Sequence, residues 1–142
     1  MRESATLLSA REWLAVGEAG RTVASGHPGL DAFLDGGFRR AKLHEIFAEN
    51  AEGAGAAAGF AAMLGLRLQE GQPLLWLRTC AAERRGRLYA PGFAELGGDP
   101  SALLLAAAPD DLSLLRSAAD ALRIPGFDAV IVECWGNPAL LD

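Results

Sequence analysis

The sequence predicts an α/β fold, a parallel β-sheet with helices on both faces. Three observations predict it. Strand-like and helix-like stretches alternate from Leu43 onward. Pro73 to Leu77 (Pro-Leu-Leu-Trp-Leu) is almost continuously apolar, as strands buried on both faces are. Ala129 to Val132 has the same character, and it follows a helix capped at Asp110 or Asp111 and ended by Pro125 and Gly126.

The elements follow in order. Ala5 to Val16 spaces Leu7, Ala10 and Leu14 along one face behind a candidate N-cap at Ser4, which predicts a short amphipathic helix. Gly17 to Gly26 is a Gly- and Ser-containing linker. Leu30, Phe33 and Leu34 suit a turn or two of helix, stopped by Gly36-Gly37. Leu43 to Phe47 is expected as a first strand, and Ala48 to Gly55 as a loop. Ala56 to Gln69 spaces Phe60, Met63, Leu64 and Leu68 at helical intervals. Pro91 opens a short helix, and Leu103 to Leu105 is a further strand. The helix from Leu112 to Arg123 is expected to turn Leu115, Ala119 and Leu122 inward. Trp76 and Ile131 are expected to be largely buried, and Trp13 and Trp135 to serve in packing. Asn137-Pro138 suggests entry to another helix, so the chain is expected to hold only the N-terminal part of its domain. Residues 1–25 form a helix and linker in this division, and residues 26–142 the core.

Composition bounds the function. With 142 residues and 51% hydrophobic content, the chain carries one domain with a real core. A net charge of −5 argues against a general basic field for nucleic acid, so any DNA contact needs a local patch. Arg2, Glu3, Arg11 and Glu12 interrupt the N-terminus, which excludes a signal-peptide apolar region there. Apolar runs such as Ala102 to Ala108 are too short to span a bilayer, and a cytoplasmic location is the expectation. Cys80 and Cys134 are expected as buried free thiols, with a disulfide as the alternative; neither belongs to a CxxC pair that would suggest zinc.

The chemistry centres on the junction after His44-Glu45-Ile46-Phe47. A nucleotide-binding α/β domain places its phosphate loop, G-x-x-x-x-G-K-[ST], between such a strand and the next helix. Here Ala48 stands at the first Gly, Gly53 at the second, Ala54 at the Lys and Gly55 at the hydroxyl residue. Glu49 and Glu52 add negative charge where a triphosphate would lie. The spacing survives and the phosphate chemistry does not. The alternative is an ordinary helix start after a strand.

The flanking residues bear on that choice. Gly29, Leu34, Gly36-Gly37, Leu43 and Glu45-Ile46-Phe47 resemble the lead-in to the phosphate loop of RecA-family ATPases. Arg87 to Gly97 (Arg-Leu-Tyr-Ala-Pro-Gly-Phe-Ala-Glu-Leu-Gly) and Ala129 to Gly136 (Ala-Val-Ile-Val-Glu-Cys-Trp-Gly) resemble one branch, the ImuA family of SOS mutagenesis proteins. The resemblance runs from about Gly26 to Asp142. It implies a RecA-like core in which an Asp that orders Mg²⁺ is replaced by Glu133. It also implies a catalytic Glu after the strand ending at Leu77, where this chain has Arg78-Thr79-Cys80, with Glu83 later than expected. Loop, metal position and base are all altered. The expectation is a protein with no ATPase activity, no catalytic residues, no cofactor and no metal.

The resemblance implies an accessory factor in SOS-induced translesion DNA synthesis, acting by protein–protein interaction with an ImuB-like polymerase homologue and an error-prone polymerase subunit, with itself and RecA as further candidate partners. The alternatives are a SulA-like cell-division inhibitor that binds FtsZ, and a divergent ATPase using Gly53, Gly55 and Glu133. Arg39, Arg40 and Lys42, and Arg84, Arg85 and Arg87, are either solvated surface or a patch for DNA or an acidic partner. Leu7, Trp13 and Leu14 mark the N-terminal helix as a candidate association element, with folding back on the core as the alternative. His27 and His44 are lone, with no metal-ligand spacing.

Overall fold

The structure is a computed structural model and describes residues 21–135. The expected N-terminal helix with Leu7, Trp13 and Leu14, and the expected helix entry at Asn137-Pro138, lie outside the described residues. The chain divides into two compact units, residues 1–45 and 46–142.

In the first unit, β1 (Thr22–Val23) pairs antiparallel with β2 (Phe38–Arg39), and α1 (Pro28–Phe33) lies between them in the chain. The Gly17 to Gly26 stretch is therefore more than a linker, since its second half supplies β1. Two local devices fix this unit. His27 caps α1 by accepting the Leu30 N–H at Nδ1, and Pro28 fits the first helical turn, where no N–H bond is lost. The Asp31 carboxylate reaches back to accept the backbone N–H groups of Ser25 and Gly26. Gly37 has φ +112°, and a Cβ there would lie 2.4 Å from the Val23 carbonyl oxygen, so only glycine permits the close β1–β2 approach.

The second unit holds a three-stranded parallel sheet in the order β4-β3-β5, built from β3 (Leu74–Thr79), β4 (Leu103–Ala108) and β5 (Ala129–Glu133). Leu74 stands opposite both Leu103 and Ala129, and the register runs on to Arg78 opposite Ala107 and Glu133. The central strand β3 is buried along its whole length. Its alternation divides the core in two. Leu75 and Leu77 pack with Ala108, Leu114, Ala118 and Ala121, so helix α5 (Asp111–Ala121) covers one face. Leu74 and Trp76 pack with Ala62 of α2 (Ala54–Leu68) and Phe93 of α4 (Ala90–Glu95) on the other. A short helix α3 (Cys80–Arg85) follows β3 directly, its first turn capped by Thr79. The expected parallel sheet with helices on both faces is present, and the strands expected near Leu74, Leu103 and Ala129 are its three members.

Several expectations are corrected. Leu43 to Phe47 forms no strand; it is irregular, and Leu43 and Phe47 are 89% and 84% exposed. A strand needs a neighbour for its N–H and C=O groups, and this run falls across the boundary between the two units. Helix α5 turns Leu114, Ala118 and Ala121 inward; Ala119 and Leu122 face solvent, and Leu115 is half-buried. Trp76 is buried as expected, but Ile131 is only partly so, because β5 is an outer strand. Both cysteines are free, yet Cys80 is half-buried and Cys134 exposed. Asp110 caps α5 as expected, accepting the Ser113 N–H at 2.7 Å.

Candidate functional site

In α/β proteins with parallel sheets, ligand chemistry gathers beyond the carboxyl ends of the strands. In this chain that region holds Arg78 and Thr79 at the end of β3, Glu83 on α3, Glu133 at the end of β5, and Trp135 just after it. The register places Arg78 directly beside Glu133 on neighbouring strands. Their side chains emerge on the same face as Trp76, two residues earlier.

These residues form one bonded cluster. Arg78 Nη2 donates to Glu133 Oε1 at 3.0 Å, and Nη1 donates to Glu83 Oε2 at 2.9 Å. Trp76 Nε1 donates to Glu133 Oε2 at 3.0 Å, and Trp135 Nε1 donates to Glu133 Oε1 at 2.8 Å. Arg87 Nε approaches Glu83 Oε1 at 3.5 Å, and the Arg85 guanidinium lies 5.6 Å from the centre of the Trp135 ring. The Arg78 side chain is 6% exposed, that of Glu133 18% and that of Glu83 33%. A buried guanidinium is tolerated here because two carboxylates neutralise it and share its donors. Its third nitrogen, Nε, is buried without a partner.

Glu133 is the residue expected at a magnesium position. Its oxygens accept three hydrogen bonds, from the Arg78 guanidinium and from the Trp76 and Trp135 indoles, and the Arg78 charge neutralises it. The Cys134 thiol, next along the chain, is pushed above its usual value, first by desolvation and then by the Asp111 and Glu133 carboxylates. Both effects disfavour the nucleophilic thiolate. Among the described residues no group of three or more His, Cys, Asp or Glu side chains could hold a metal ion.

The expected phosphate loop has a separate geometry. Ala48, Glu49 and Glu52 are exposed, and residues 51–53 form a turn that leads into α2 at Ala54. The Gly53 N–H, which a phosphate would engage in a working loop, donates to Asn50 Oδ1 at 2.9 Å. The Ala54 N–H bonds to the Ala51 carbonyl. No side chain caps α2 at Gly53 itself. Gly55 lies within the first turn of α2, with open space around its Cα. Ala54 and Gly55 supply neither the ammonium nor the hydroxyl that phosphate and Mg²⁺ require.

No protein-family model, no curated protein and no solved structure matches this chain.

The basic residues are divided between the units. Arg39 is exposed on β2, Arg40 is half-buried, and Lys42 is exposed, all in the first unit. Arg84, Arg85 and Arg87 are exposed in the second. Arg85 is engaged with Trp135 and Arg87 with Glu83. Arg78, adjacent to that cluster in the sequence, is part of the interior. His44 bonds the Arg39 carbonyl through Nε2 at 2.8 Å and meets the Phe38 ring edge-on, so it is locally satisfied. No helix among the described residues is long and apolar enough to cross a membrane.

The cluster of Arg78, Glu83 and Glu133 is the part of the site that the sequence did not announce. One signal was present: Arg78 is the only charged residue in the apolar run Leu74–Thr79. A charge inside a strand buried on both faces requires a partner of opposite sign on a neighbouring element.

Proposed function

We propose that this chain is a non-catalytic RecA-like protein resembling the ImuA family, an accessory factor in SOS-induced translesion DNA synthesis that acts through protein–protein interaction. The observation that carries this reading is the state of Glu133. The carboxylate at the metal position is bonded to Arg78, Trp76 and Trp135, which makes it a structural anion. The loop adds independent support. It lacks the lysine and the hydroxyl, it carries Glu49 and Glu52, and its Gly53 N–H is bonded to Asn50. A parallel sheet with no working phosphate site keeps its surfaces as its means of action. Those surfaces include exposed Leu104, Leu105, Leu122 and Ile124 in the second unit.

The partners implied by the resemblance are an ImuB-like polymerase homologue and an error-prone polymerase subunit. The test is co-purification of the tagged full chain with each of these proteins and with FtsZ. Capture of the polymerase homologue alone supports the proposal. Capture of FtsZ alone replaces it with a cell-division role.

A further inference from the structure

We propose that Arg85 and Arg87, set around the exposed Trp135 ring, form a docking surface for a short acidic segment of a partner protein. The inference rests on the contact role proposed above and names the chemistry of one such contact.

The surface is built outward from the buried ion pair. Arg78 donates to Glu133 Oε1 at 3.0 Å, and the same oxygen accepts the Trp135 indole N–H at 2.8 Å. That bond orients a ring that is 36% exposed, just beyond the end of β5. The Arg85 guanidinium lies over this ring, 5.6 Å from its centre. Stacking on a ring uses none of a guanidinium's N–H donors. Among the described residues no carboxylate pairs with Arg85. Arg85 is therefore an exposed cation held against a fixed ring with its donors uncommitted. Part of the side-chain freedom that an arginine loses on binding is already lost in the free chain.

Arg87 joins the same cluster through the other carboxylate. Its side chain is 85% exposed, and it approaches Glu83 loosely, at 3.5 Å through Nε. Glu83 in turn holds Arg78. The cluster thus carries three guanidiniums, those of Arg78, Arg85 and Arg87, against the carboxylates of Glu83 and Glu133. Arg78 is the buried member, so the surplus positive charge lies on the exposed side, where Arg84 adds to it.

This distribution selects the partner. A single-stranded nucleic acid carries a phosphate at every nucleotide and needs a continuous basic track. Here the positive surplus is local. The chain has a net charge of −5, and Asp111 lies close enough to act on the thiol of Cys134, the neighbour of Trp135. A short acidic segment needs only the local surplus. The arginine fork matches a carboxylate with two parallel N–H···O bonds. The exposed indole beside it covers an aliphatic neighbour of that carboxylate.

The test uses the full ¹⁵N-labelled chain and short synthetic peptides with a central Glu-Glu-Leu or Gln-Gln-Leu, alongside oligothymidylate and oligouridylate. The Glu peptide is expected to bind about tenfold more tightly than the Gln peptide. It should shift the Trp135 indole N–H resonance and weaken as salt rises from about 50 to 200 mM. Arg85→Lys keeps the charge but loses the fork, and should weaken the Glu peptide about fivefold. Arg87→Gln should also weaken it. Arg123→Gln, an exposed arginine past the far end of α5, should leave it unchanged. All three variants alter exposed side chains, and a retained thermal melt confirms that each is folded. Equal binding of the two peptides, no binding, tighter binding of either oligonucleotide, natural affinity in Arg85→Lys, or an equal loss in Arg123→Gln each overturns the proposal. Capture of FtsZ alone, or Mg-ATP binding, would count against the function proposed above and leave the peptide result standing.

Discussion

Replacing Arg78 with methionine probes the cluster that organises the carboxyl end of the sheet. The substitution keeps most of the side-chain volume and removes the charge. In the folded chain it leaves Glu133, 18% exposed, and Glu83, 33% exposed, without their shared cation. Removing one partner of a buried ion pair costs about 3–5 kcal/mol. Two features place this case at the lower end. Glu133 keeps the Trp76 and Trp135 donors, and Glu83 keeps Arg87 nearby. The expected loss is therefore about 3 kcal/mol. With a urea slope of roughly 1–3 kcal/mol per molar, the midpoint falls by about 1–3 M. Tryptophan fluorescence during urea unfolding reads this directly, because Trp76 is buried and bonded to the same carboxylate. Glu133→Gln in the Arg78→Met background removes the stranded charge and should restore at least about 1 kcal/mol. A single variant within about 0.5 kcal/mol of the natural chain, or a double variant whose losses simply add, would show that Arg78 does not neutralise Glu133 at any cost to stability.

Further expectations follow from individual contacts. Trp76→Phe removes a donor to Glu133 and core volume, and should lower stability by about 2 kcal/mol in the same urea assay. Gly59→Ala should stabilise α2 by about 0.5–1 kcal/mol, since a Cβ there meets nothing within 4 Å. Gly65→Ala should forfeit that gain, because its Cβ would lie 3.2 Å from both Ile131 and Leu74 side chains; thermal melts of the two variants separate them. Bonds from the Ser113 backbone N–H and then its hydroxyl hold the Asp110 carboxyl below its ordinary value. Its folded-state value is depressed, so its contribution is present above the ordinary carboxylate value and is lost as pH falls through the lowered one. Asp110→Ala should therefore lower the melting temperature at neutral pH, and the difference should close in acid.

The fold was legible from its apolar runs. Leu74 to Leu77, Leu103 to Leu105 and Ala129 to Val132 all read as strands of a parallel sheet, although only the first is buried on both faces. The failures share a cause, since each depended on a neighbour that sequence spacing does not reveal. Leu43 to Phe47 has strand composition but no strand to pair with. The helix expected from Leu112 to Arg123 carries leucines at 112, 114, 115 and 122, and these admit more than one inward stripe. Packing against Leu75 and Leu77 selects Leu114 over Leu122. At the site, the loop substitutions Ala48, Ala54 and Gly55 were plain in the sequence. The bonding of Glu133 was not, because it depends on the register that brings Arg78 beside it.

On the proposed reading, neither the loop at residues 48–55 nor Glu133 serves a nucleotide. Isothermal titration of the full chain with Mg-ATP then gives no saturable heat up to millimolar nucleotide, and no change when Glu49 and Glu52 are both replaced by glutamine, since the lysine and hydroxyl positions remain Ala54 and Gly55. A dissociation constant in the low micromolar range would contradict it.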